Sequence, residues 1–149
     1  MTSSASRPAA VVTAVKKMMP NIEAIGMPRW SAEEQALARA LQKQASAREE
    51  GLRPAPTPLT GPTQQIAASN DCGDISWKVP MAKFYYPSNV PNITFHHWAG
   101  GVTLAHSIAH KGAVAGSKAF AAAVVECFSN PAVVAEAKRT FKEELGGVE

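Results

Sequence analysis

The sequence predicts an α/β layer, and three observations carry that expectation. Residues 81–86, rich in aromatics and set between Pro80 and Pro87, fit a strand. Two segments repeat apolar residues every three or four positions, as amphipathic helices do. A stripe of small residues, Ala109, Gly112, Ala113, Gly116, Ala119 and Ala123, recurs at helical spacing and permits close approach to a sheet or another helix. The order helix, loop, strand, long helix, helix suits an α/β layer better than a bundle. With 149 residues, 46% apolar and 18% charged, the chain is neither a disordered tail nor a disulfide miniprotein. It has the length for one core and one site, not for a two-domain enzyme.

Residues 1–21 are rich in Ser, Ala and Pro and then briefly basic, the composition of a flexible leader or a severed connection. The first firm element begins after Trp30. Ser31 and Glu34 make a capping box, in which the hydroxyl accepts from the third helical amide and the carboxylate reaches back to the cap amide. Leu37, Ala40, Leu41 and Ala45 continue one face, so the helix is expected over about 32–50 with Gly51 as its stop. Prolines 54, 56, 58 and 62 make 52–63 a loop laid over a surface. The polar run Ser69, Asn70, Asp71, Gly73, Asp74 and Ser76 follows as a loop that turns sharply or holds something. A second extended piece is expected over 92–95, then a turn at Ala99, Gly100 and Gly101. A long helix spans about 106–128. Asn130 as cap and Pro131 in first position open the last helix, whose stop is Gly146 and Gly147.

The net charge of +3 is a mild excess of 15 basic over 12 acidic residues. The densest basic group, Lys138, Arg139 and Lys142, runs straight into Glu143 and Glu144, so nucleic-acid binding is not expected. No uninterrupted apolar run approaches the roughly 20 residues of a membrane span, and none is expected. Two distant cysteines, Cys72 and Cys127, fit a reducing, cytoplasmic setting.

All four histidines, His96, His97, His106 and His110, lie in one short stretch, and the only aspartates are Asp71 and Asp74. Neutral imidazole suits zinc and other first-row ions. His106 and His110 stand four apart on one helical face but lack the Glu of a zinc-protease motif, and such a pair is more often plain helix surface. His96 and His97 point to opposite faces if extended, so one of them enters a given site. The SNDCGD run can bind a metal through carboxylates or an anion through amides and hydroxyls, or simply form a locally bonded turn. Cys72 reads as a small buried thiol rather than a nucleophile, and Trp77 and Trp98 read as packing residues.

The run SNDCGDISWKVP, then HHW, then SIAHKGAVAGSKAFAAAVVECFSNPAVVAEAK resembles the C-terminal part of the di-metal amidohydrolases related to aminoacylases and carboxypeptidases. The likeness is nearest to their p-aminobenzoyl-glutamate hydrolase branch. IGMPRWSAEEQALARALQ is similar to the segment where that family returns from its lid into the catalytic domain. The resemblance implies that residues 22–149 are the C-terminal portion of a catalytic domain, part of a zinc-peptidase-like sheet flanked by helices. It implies cleavage of N-acyl or N-aroyl amino acids with two divalent ions, zinc or manganese, and a glutamate base. His96 matches the family's last metal ligand, with His97 standing where a small hydroxyl residue is usual. Asp71 and Asp74 match the polar loop lining the site, and His110 and Lys111 match the start of the following helix; Asp71, Asp74 and His110 are the expected substrate contacts.

The resemblance places the family's His-x-Asp motif, its bridging aspartate and the Glu-Glu pair that carries the base in an N-terminal region that this sequence does not match. The resemblance therefore implies a piece that hydrolyses its substrate only with a complementary N-terminal chain. The alternatives are a non-catalytic partner of a full-length relative, which would dock through exposed apolar surface, and a small His-cluster metal-binding protein.

Overall fold

The structure is a computed structural model and describes residues 18–58, 71–94 and 96–144. The leader before Met18, the second half of the proline-rich loop, Ser69, Asn70 and the Gly146–Gly147 stop lie outside these residues. The described chain begins in helix α1 (18–25) and continues through α2 (Ala32–Gln44), α3 (Cys72–Ser76), α4 (Trp98–Leu104), α5 (Ser107–Ser129) and α6 (Pro131–Glu144).

The expected α/β layer is corrected by this architecture, because the described residues contain helices and no strand. Residues 81–86 run in irregular backbone with no neighbouring strand to bond. Prolines 80 and 87 also remove ladder donors at both ends. The following backbone instead lies on the small-residue face of α5. A Cβ on Gly112 would sit 2.1 Å from the Pro87 carbonyl oxygen, and one on Gly116 would sit 2.5 Å from Cγ of Tyr86. The stripe thus receives an irregular segment rather than a sheet or a helix. The extended piece expected over 92–95, of which Phe95 lies outside the described residues, is interrupted at Asn92, which takes φ of 65°.

By internal contacts the chain divides into two compact units. One comprises Ile22–Thr57 and Tyr85–Ala122. Its core is Ala38, Leu41, Leu52, Val90, Ala99 and Ile108, with Trp30, Leu37 and Ile93 packed against it. Helix α2 starts on the expected capping box, Glu34 N–H donating to Ser31 Oγ at 3.2 Å and Ser31 N–H to Glu34 Oε2 at 2.7 Å. It ends well before Gly51. Ser46 turns left-handed at φ 51° and donates to Lys43 O, while Ala47 N–H donates to Gln42 O at 2.8 Å, a Schellman turn that reverses the chain.

The reversed segment then runs back along α2 and bonds to two of its glutamines. Gln35 Nε2 donates to Leu52 O at 3.0 Å, and Leu52 N–H donates to Gln35 Oε1 at 2.9 Å. Gln42, fully buried, accepts from Gly51 N–H at 2.8 Å and donates to Gly51 O at 3.3 Å and Pro91 O at 3.1 Å. Gly51 is required here. Its φ is 73°, and an added Cβ would meet Gln35 Oε1 at 2.4 Å.

The other unit takes in residues 18–21, 58, 71–84 and 123–144 of the described chain. Phe141 and Ala123 are its buried apolar residues, and Asn21 Nδ2 donates to Glu126 Oε2 at 2.6 Å. Asn130 caps α6 as expected, its Oδ1 accepting from Ala132 N–H at 3.3 Å. Helix α5 is, by length and composition only, long and apolar enough to cross a membrane. Small residues rather than large apolar ones fill most of its length, so no continuous strongly apolar run marks it in the sequence.

Candidate functional site

The turn before α4 sets the geometry of the adjacent histidines. His97 is the N-cap of α4, and its Nδ1 accepts from Ala99 N–H at 3.2 Å. The tie uses the Nδ1 lone pair and places the ring proton on Nε2, so the capped ring has no lone pair left for a metal. The His97 ring lies 5.3 Å from that of Trp98, tilted by 38°. His96 is exposed, on left-handed backbone. Ala99, Gly100 and Thr103 are buried and hold α4 in place, with Thr103 Oγ1 donating to Ala99 O at 2.9 Å.

His106 and His110 sit at the start of α5. The His106 Nδ1 lies 3.2 Å from Ser107 Oγ and 3.5 Å from Ile108 N, a local capping arrangement, and His110 is exposed. Asp71 and Asp74 belong to the other unit, where the described part of the polar run, from Asp71 on, forms the short helix α3 rather than a loop. Both are exposed, and Asp71 stands at the N-cap position without a side-chain capping bond. Trp77 and Trp98, expected as packing residues, are 44% and 56% exposed. Among the described residues no three His, Cys, Asp or Glu side chains come together as a metal would require. The single ligand His96 does not form a di-metal site from this chain's own described groups.

Glu34, which the sequence marks only as a capping residue, is the centre of a buried ionic cluster. It is 3% exposed and receives Lys111 Nζ at 2.8 Å, Ser107 Oγ at 2.5 Å and the Ser31 amide. Burial alone raises its pKa, but the hydrogen bonds from Lys111, Ser107 and Ser31 and the Lys111 charge outweigh it and bring it down to about 2. Lys111 also donates to Arg29 O at 3.1 Å. Ser107 gives its proton to a carboxylate whose pKa is held at about 2, too weak a base to activate the serine as a nucleophile. The cluster ties α2 to α5 and sets the orientation of the α5 start that carries His106 and His110.

No family model and no solved structure matches the chain. Among curated proteins the chain is similar to a hydrolase. The relative found is the B-type subunit of the p-aminobenzoyl-glutamate hydrolase of Escherichia coli (strain K12), 27% identical over 143 aligned residues that take in 79% of this chain. The matched stretch spans only 30% of that relative's length.

Proposed function

We propose that this chain is the C-terminal part of a metal-dependent amidohydrolase that cleaves N-acyl or N-aroyl amino acids of the p-aminobenzoyl-glutamate type. It acts once the rest of the catalytic domain is supplied by a complementary N-terminal chain or a full-length relative. The observation that carries this reading is the likeness to a named hydrolase over 79% of this chain but 30% of the relative. His96 is the ligand this chain would contribute to a zinc or manganese ion. Its exposure beside a neighbour already committed to capping supports that choice. Asp71, Asp74 and His110, all exposed, are the proposed substrate contacts. A cytoplasmic setting belongs to the same proposal.

Because the described donors do not by themselves enclose an ion, no hydrolytic step is assigned to this chain alone. The test is reconstitution. The purified chain is mixed with a polypeptide comprising the unmatched remainder of the relative, with manganese or zinc, and N-aroyl-glutamate cleavage is followed. Hydrolysis in the mixture and in neither part alone is expected. Absence of both association and hydrolysis overturns the proposal.

A further inference from the structure

The buried Glu34 cluster also fixes how His106 presents its ring. The Glu34 carboxyl, its pKa brought down to about 2, is ionised and only accepts hydrogen bonds. Ser107 gives it the one hydroxyl proton at 2.5 Å, so toward His106 Nδ1, 3.2 Å away, the serine oxygen acts as acceptor. His106 then carries its proton on Nδ1, and the ring lone pair sits on Nε2. The Ile108 amide, 3.5 Å from the same Nδ1, lies outside the usual hydrogen-bond range and does not reverse this assignment. A carboxylate that orients an imidazole from behind is the arrangement that prepares a histidine for a metal.

His110 stands where a second nitrogen is needed. Its amide donates to His106 O at 3.5 Å, so the two residues bound one helical turn, and Cβ atoms so spaced lie about 5–6 Å apart. Helical side chains lean toward the N-terminus, which carries the His110 ring back over the turn that begins at His106. His106 is half-buried and His110 exposed. The neighbouring cation, Lys111, is neutralised by Glu34 at 2.8 Å.

We infer that His106 Nε2 and His110 form a two-imidazole chelate for a late first-row divalent ion such as nickel, copper or zinc, with Ser107 and Glu34 positioning His106 from behind. Three protein ligands, which a closed centre requires, do not converge among the described residues. A chelate on one helical turn takes two and leaves the remaining positions to water. Imidazole nitrogen selects these ions over magnesium or calcium. The pair, Ser107 and Glu34 all lie in the unit formed by Ile22–Thr57 and Tyr85–Ala122, and the site makes no use of His96. It therefore stands apart from the hydrolase reading.

Calorimetry of the untagged chain with nickel or zinc is expected to show saturable binding of one ion per chain. His106→Gln and His110→Gln are each expected to remove it, and His96→Gly to leave it in place. Ser107→Ala is expected to weaken binding by about 10- to 100-fold and Ser107→Thr to restore it, with circular dichroism and melting curves showing that every variant is folded. Long-range proton–nitrogen NMR correlations of the imidazoles give a reading that needs no ion. His106 is expected as the Nδ1–H tautomer in the wild type and is expected to lose that preference in Ser107→Ala. Absence of binding, binding that persists in either glutamine variant, binding lost with His96→Gly, wild-type affinity in Ser107→Ala, or a wild-type His106 found as the Nε2–H tautomer overturns the proposal.

Discussion

Lys111 on α5 donates to the buried carboxylate of Glu34 on α2 at 2.8 Å, and the same carboxylate closes the capping box of its own helix. Glu34 is thus at once a local cap and a tertiary tie. Its carboxyl, held down to about 2 when folded against an ordinary value of 4.5, binds its proton more weakly in the folded chain than in the unfolded one. The stabilisation is therefore complete above about pH 4.5 and is lost as pH falls from there through about 2. Glu34→Gln is expected to lower stability near neutral pH by about 2–3 kcal/mol, a value moderated by the partly exposed Lys111. Urea titrations of both proteins between pH 7 and 3 check this, and the gap between them narrows as the pH falls.

Gln42 is expected to be the costliest single polar residue to remove. Gln42→Leu keeps the volume but strands the Gly51 amide and the carbonyls of Gly51 and Pro91 in a fully buried place. The loss is about 2–4 kcal/mol at the global unfolding transition. Gln42→Glu, which cannot donate to either carbonyl, is no rescue.

What was legible in the sequence is what is decided locally. The Ser31–Glu34 box, the Asn130–Pro131 start and the extent of α5 each follow from residues within one or two turns. The strand expected over 81–86 failed because a strand needs a distant partner that no local pattern specifies, and the glycine stripe of α5 does not say what will lie on it. Gln35 and Gln42 have the spacing of helix surface. Their role in bonding residues 51 and 52 depends on the reversal at Ser46, which carries none of the usual glycine signal. At the candidate site, no local pattern assigns Lys111 a role, because its partner Glu34 lies 77 positions away. His96 and His97 become distinct only once the capping bond of His97 is placed.

Ser46→Gly is expected to stabilise the protein by about 0.5–1 kcal/mol. The exposed serine holds φ at 51° in the Schellman turn, a conformation that glycine adopts without the Cβ penalty. Thermal unfolding measures the gain. A loss instead would mean that the hydroxyl does more for the turn than the backbone strain takes away.

Gly112→Ala is expected to destabilise even though alanine favours helix by about 1 kcal/mol. The new Cβ falls 2.1 Å from the Pro87 carbonyl, which is backbone and cannot swing aside, so the 86–88 segment must lift from α5. A net loss of about 1–3 kcal/mol follows, together with faster amide exchange around Asn89 and Val90.

The two adjacent histidines separate folding from metal chemistry. His97→Ala removes the acceptor for Ala99 N–H and is expected to cost about 1 kcal/mol, with Ser or Asn at that position restoring most of it as alternative caps. His96→Gly removes an imidazole from backbone at φ 64° and is expected to leave stability unchanged or slightly raised, since glycine relieves the left-handed strain. In the reconstituted mixture, metal-dependent hydrolysis should therefore disappear with His96→Gly in a protein that melts no earlier than the wild type, and should persist with His97→Ser. The opposite pattern, activity kept by His96→Gly and lost by a stably folded His97→Ser, would transfer the ligand role to His97, whose ring would then give up its capping bond to the Ala99 amide to coordinate.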